Sequence, residues 1–133
     1  MWWVMFGVWC VGITVLSSIP GSSLKGMDFS HADKLAHFGL FFVGAFFLTA
    51  AMRSSFKWAP CVIIPVVAVA MSLLGVMDEW HQLYTPMRSG ADMGDWIADS
   101  LGGIAGAIAV YAIYGFFRFF VRPQPDPIAP RTN

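Results

Sequence analysis

The chain has 133 residues, room for one domain, with 57% hydrophobic and only 12% charged residues and a mean hydropathy of +0.64. A water-soluble domain covers itself with far more charge, so a soluble globular fold is excluded and lipid is the expected solvent. Eight basic residues balance eight acidic ones, which excludes the bulk positive surface of a nucleic-acid binder. The two cysteines, Cys10 and Cys61, sit in or beside apolar runs and read as packing residues, not as a disulfide framework.

Four stretches reach the ~17–25 apolar residues that carry a helix across the ~30 Å hydrocarbon core. The first covers residues 2–19 and stops at Pro20-Gly21, a strong breaker. No basic residue precedes Lys25, so this stretch lacks the basic start of a cleaved signal peptide and reads as a true span. The second covers residues 35–52. The third covers residues 58–77, with Pro60 in its first turn and Pro65 as an expected kink. The fourth covers residues 97–121. The prediction is all-α: an integral membrane four-helix bundle over residues 1–121. A Pro-rich tail, residues 122–133, holds Pro123, Pro125, Pro127 and Pro130 and is expected to be extended and cytoplasmic.

Four spans put residues 20–34 and 78–96 on one side of the membrane and the termini with the middle loop on the other. Arg53, Lys57, Arg118, Arg122 and Arg131 then share the terminal side, against Lys25, Lys34 and Arg88 opposite. The positive-inside rule makes the terminal side cytoplasmic. The acidic residues sharpen the contrast. Asp28, Asp33, Asp78, Glu79, Asp92, Asp95 and Asp99 fall at the outer side, with His31, His37 and His81, and only Asp126 lies inside. Trp2, Trp3 and Trp58 map to the inner interface and Trp80 and Trp96 to the outer one, where indoles prefer to lie; Trp9 alone falls mid-span.

Three polar clusters lie on the outer side. In the first, Asp33 and His37 are four apart and share a helix face with Lys34 nearby, an arrangement in which a carboxylate orients an imidazole for base work or metal ligation. The same residues also suit a plain helix start at headgroup level. In the second, Asp78, Glu79, His81 and Gln82 follow the third span. Two adjacent carboxylates at a helix C-terminus oppose the macrodipole, so local physics disfavours them and a tertiary or functional reason is expected. In the third, Arg88 precedes Asp92, Asp95 and Asp99, whose spacing places three carboxylates within roughly 60° on one face. Asp92 and Asp95 also serve as N-terminal dipole partners. Asp99 lies inside the fourth span, where a carboxylate needs a partner; Arg88, Lys34 and His37 are the candidates. Below it, Gly102 and Gly106 form a small-residue groove for close helix packing.

If the helices bundle, these clusters converge on one outward pocket. His37 and Glu79 are its candidate acid/base groups, with Asp33 and Asp95 in support. Arg88, Lys34 and Gln82 are candidates for holding a headgroup, and Arg88 in particular suits an anion. Asp78, Glu79, Asp92 and Asp95 offer clustered hard oxygens for a divalent cation, while Asp99, Gly102 and Gly106 are read as structural. No HExxH, CxxC, GxSxG or glycine-rich phosphate loop is present, so the residues do not name a reaction.

The ordered set Ser17-Ser18-Ile19-Pro20-Gly21, Asp33-Lys34-Leu35-Ala36-His37-Phe38, Asp78-Glu79-Trp80-His81-Gln82, Pro86-x-Arg88-Ser89, Asp95 and Ala98-Asp99-Ser100-Leu101-Gly102 resembles the VanZ-like family of small bacterial membrane proteins. The family is named for a glycopeptide (teicoplanin) resistance determinant. The resemblance covers residues 15–115 and implies a four-helix protein of the bacterial cytoplasmic membrane, acting in envelope biology or glycopeptide sensitivity. Two features depart from the family pattern: the spacing from Arg88 to Asp95 is one residue longer, and Asp99 stands where many members carry Asn. On this reading the pocket binds or modifies a lipid-linked or cell-wall precursor. The alternatives are a non-catalytic binding or transport module whose acidic pocket passes a cation, proton or small solute, and a membrane scaffold.

Overall fold

In the computed structural model, residues 1–24 and 29–120 are described, with the side chains of residues 23–31 left aside. Four α-helices account for nearly all of this: α1 (Trp2–Ser17), α2 (Phe29–Ser55), α3 (Pro60–Gln82) and α4 (Met93–Phe120), with a 3-10 turn at Gly21–Leu24. No strand occurs among the described residues. Lys25, Asp28 and the 122–133 tail lie outside the described residues, and so does the side chain of His31.

The helices α2, α3 and α4 are long and apolar enough to cross a membrane. At 16 residues, α1 rises only about 24 Å, less than the ~30 Å core. It ends where Pro20 restricts the preceding residue. Pro60 opens α3 at its first position behind an extended Ala59, where a missing N–H costs nothing. The helix then runs through Pro65 to Gln82, beyond the expected end at residue 77. Likewise α4 starts at Met93, not near residue 97, so Asp95 and Asp99 belong to its first two turns.

The centre of the bundle is the α2–α4 pair, and glycine makes it. A Cβ on Gly102 would run into the carbonyl oxygen of Phe38, and one on Gly106 into that of Phe42, with Ala45 Cβ 3.1 Å away. The two backbones approach more closely than any side chain allows, the small-residue mode of helix association in lipid. Gly103 likewise makes room for Met71 of α3 and Gly75 for Asp99. Around this seam Phe41, Ala45, Ile63, Val67, Met71 and Ala107 are fully buried. Trp9 ties α1 to α2: its indole N–H donates to the Leu40 carbonyl at 2.8 Å, which satisfies the one tryptophan expected mid-span. Cys10 and Cys61 are unpaired, the first half-buried and the second on an exposed face.

At the far end from the acidic loops, Trp3 donates to Ser55 at 2.8 Å. Arg53 lies over the Tyr114 ring, 3.6 Å from its centroid. The start of α1, the end of α2 and the end of α4 therefore share one face of the bundle. The α1–α2 and α3–α4 connections share the other, joined by a hydrogen bond from Gly21 N–H to the Pro86 carbonyl at 3.0 Å. Met87 and Ala91 hold left-handed backbone there, with φ 58° and 62°, a conformation costly for non-glycine residues.

Candidate functional site

Every helix contributes to a polar cluster at that second end. From α2, His37 accepts burial to 7% exposure and places Nδ1 2.9 Å from Oδ1 of Asp99, itself at 0%. A buried carboxylate beside one ring nitrogen fixes the tautomer and turns the other nitrogen, Nε2, toward whatever approaches. The sequence spacing pointed to Asp33 for this task. The carboxylate hydrogen-bonded to the ring is Asp99, 62 positions away, and the second Asp99 oxygen has no hydrogen-bond partner. Asp33 stays close: one ligand atom each from Asp33, His37 and Asp95 lie within 4.8 Å of one another.

Lys34, one turn above His37, donates to Asp95 Oδ1 at 2.9 Å and reaches Asp92 Oδ2 at 3.4 Å. Asp92 also caps α4. Its side chain accepts the Gly94 N–H at 2.6 Å, and its carbonyl accepts the Trp96 N–H at 3.1 Å, the geometry of an N-cap. The Gly94 N–H, and after it the Lys34 ammonium, hold the Asp92 carboxyl below the usual range for aspartate. Its own N–H donates to Glu79 Oε2 at 2.7 Å. Glu79 therefore clasps the start of α4 from α3, while its other oxygen, Oε1, is buried and unpartnered.

Among the described residues, Asp78 is held by neutral donors. The Ser17 hydroxyl donates to Oδ1 and the Gln82 amide to Oδ2 at 2.8 Å. These bonds recruit α1 into the site, helped by Thr85, whose hydroxyl donates to the Ser17 carbonyl at 3.0 Å. Ser18 Oγ lies 3.0 Å from His81 Nε2. Arg88 donates through Nη2 to the Leu16 carbonyl at 3.1 Å and keeps a buried, unpartnered Nε. It thus fastens the α3–α4 loop to the end of α1. Gln82 serves Asp78, and Gly102 and Gly106 seat α4 on α2.

One ligand atom each from His37, Asp78 and Glu79 also fall within 4.8 Å of one another. His37 is thus the meeting point of two acidic groups, Asp78 with Glu79 on α3 and Asp33 with Asp95 from α2 and α4. A groove of about 560 Å³ opens beside it between α1 and α3. Its walls are apolar (Trp9, Ile13, Phe41, Leu74 and Met77), and Asp78 and His81 line one end.

Ser17 was visible only as part of the family pattern, and Thr85 and Gly75 were not singled out from the sequence. A serine and a threonine near helix ends carry no pattern of their own, and a glycine inside an apolar run is marked only by its missing side chain. Trp96, Ser72 and Ser100 form a further α3–α4 bridge, with the indole N–H 3.2 Å from both Ser72 oxygens and the two hydroxyls 3.1 Å apart.

No curated protein and no solved structure gives a significant match. The VanZ/LLP1 family model matches residues 3–118, which takes in all four helices nearly whole and every residue of the cluster. The chain is a multi-pass, all-α membrane protein belonging to the VanZ/LLP1 family.

Proposed function

We propose that this protein holds a lipid-linked cell-envelope precursor at the outer face of the bacterial cytoplasmic membrane. The lipid chain lies in the α1–α3 groove and the headgroup meets the polar cluster around His37. The single observation that carries this reading is the groove itself: an apolar channel between helices that ends on Asp78 and His81 beside the buried His37–Asp99 pair. Its volume of about 560 Å³ suits ligand pockets, which span roughly 300–1,000 Å³.

The physics of the medium divides the labour. A lipid tail in such a groove leaves one apolar environment for another, so it gains little free energy there. Selectivity must come from the headgroup end, where the protein spends its polar residues. There Lys34 and the unsatisfied Arg88 Nε offer positive charge, His37 and Glu79 offer proton transfer, and Asp33 and Asp95 flank the ring. The charge distribution supports an outward orientation. Arg53, Lys57 and Arg118 gather at the opposite end of the bundle, which the positive-inside rule assigns to the cytoplasm together with both termini. On this reading α1, though short, completes a four-span domain over residues 1–121.

The reading is tested by purifying the chain in native lipid and identifying bound lipids by mass spectrometry. The wild type is expected to carry a phosphate-linked lipid that Leu74→Trp, which fills the groove, does not. Expression is expected to alter glycopeptide (teicoplanin) sensitivity, and Asp33→Asn, His37→Ala, Glu79→Gln and Asp95→Asn to abolish that effect at normal membrane levels. Loss of the protein itself in all four variants would instead favour a scaffold whose polar residues only lock the bundle. A reporter near Thr85 is expected outside and one after residue 121 inside; the reverse result would overturn the outward site.

A further inference from the structure

Six carboxylates, those of Asp33, Asp78, Glu79, Asp92, Asp95 and Asp99, gather at the end of the bundle that holds His37 and His81, and Lys34 and Arg88 are the cations among the described residues there. An anionic headgroup entering such a site meets more negative than positive charge. The arrangement of the neutral donors around it points to what corrects the balance.

Of the two acidic groups that meet at His37, the Asp33–Asp95 side already has a cation, since Lys34 Nζ is 2.9 Å from Asp95. Among the described residues the Asp78–Glu79 side has none. Asp78 is oriented by a serine hydroxyl and a glutamine amide, which fix its position and bring no positive charge. Glu79 uses one oxygen on the Asp92 N–H and keeps the other unpartnered, in a side chain only 4% exposed. A buried carboxylate oxygen without a donor is expensive unless something positive occupies the space before it. Behind the ring, Asp99 engages Nδ1, the carboxylate–histidine arrangement that metal sites use to fix the ligating nitrogen and raise its basicity.

We infer that His37, Asp78 and Glu79 form a binding site for one divalent cation of the zinc or manganese type, with Asp99, Ser17 and Gln82 orienting the ligands. One imidazole with two carboxylates suits these ions better than magnesium or calcium, which favour oxygen alone. Ligand atoms within 4.8 Å of one another leave a central ion about 2.8 Å from each, so side chains that close in by about 0.7 Å reach the ~2.1 Å of metal–ligand bonds. A fourth position remains for water or for a phosphate oxygen. The inference rests on the same cluster as the proposed headgroup site, and gives that headgroup its positive partner.

The test uses the full chain in lipid nanodiscs, stripped with chelator and titrated with Mn²⁺ under electron paramagnetic resonance, and with Zn²⁺ under elemental analysis. One ion per chain is expected, with nitrogen hyperfine coupling to Mn²⁺ that disappears in His37→Ala. Glu79→Gln, which keeps an acceptor for the Asp92 N–H, is expected to weaken binding at least tenfold, and Asp99→Asn by 10–100-fold through the ring. No stoichiometric ion in the wild type, or unchanged binding in His37→Ala or Glu79→Gln, overturns the inference. Lipid capture is measured separately: a captured lipid without an ion sinks the metal site alone, and an ion without a captured lipid sinks the headgroup reading alone.

Discussion

Replacing Gly102 by alanine adds one methyl group where α4 touches the backbone of α2. That carbon would meet the carbonyl oxygen of Phe38 well inside contact distance, with Phe38 C and Cα at 3.0 and 3.1 Å. The obstacle is main chain, so no rotamer relieves it and the helices must part by about 1 Å in a tightly packed interior. Phe38 follows His37 and Gly102 lies three residues after Asp99, so the separation opens the 2.9 Å His37–Asp99 contact to roughly 3.9 Å, beyond hydrogen bonding. Overpacking of this kind costs about 1–3 kcal/mol. Gly39 provides the control, because a Cβ there meets nothing within 4 Å. Both substitutions gain the same helix propensity of up to about 1 kcal/mol. Gly39→Ala should thus equal or exceed the wild type, with Gly102→Ala about 1–3 kcal/mol below it. Unfolding followed by circular dichroism in mixed micelles reads the difference. Equal stability of the two alanines would refute the close α2–α4 approach.

Lys34→Ala strands Asp95, which is only 3% exposed, and should lower stability in the same unfolding assay, with part of the loss recovered in the double variant with Asp95→Asn. Because Asp92 is held below its unfolded value near 3.9, its contribution is complete above about pH 4 and lost as pH falls below that. With the side chain 42% exposed, that contribution stays below about 1 kcal/mol; Asp92→Asn should keep the cap and flatten this part of the pH–stability profile between pH 7 and 3, whereas Asp92→Ala loses about 1 kcal/mol of capping at all pH values. Ala91→Gly, at φ 62°, should raise stability by about 1 kcal/mol in the same denaturation assay.

The helices were legible because long apolar runs in a chain with so little charge point to lipid, and α2, α3 and α4 have the length a span needs. Their ends were less so. Hydropathy closes the third span at residue 77, yet α3 continues to Gln82 because Ser17 of α1 and Asp92 of α4 satisfy its last polar turn. Hydropathy also opens the fourth span near residue 97, whereas Asp92 caps a helix that begins at Met93. Helical spacing reports only neighbours on the same helix, so it paired His37 with Asp33 and left Asp99 with three candidate partners; the α2–α4 crossing chose His37. The glycines that permit that crossing were visible as Gly102 and Gly106, but what they touch was not. For Arg88 the pattern suggested an anion, and the fold gives one of its nitrogens to a carbonyl of α1, a contact no local rule encodes.

Two isosteric variants decide whether the cluster binds a ligand or merely locks the helices together. Asp78→Asn and Glu79→Gln change charge and almost nothing else in shape. Native mass spectrometry of these variants, purified beside the wild type, should find equal amounts of folded protein in the membrane, a bound phosphate-linked lipid on the wild type and little or none on either variant. Equal lipid occupancy in all three would contradict ligand binding by the cluster.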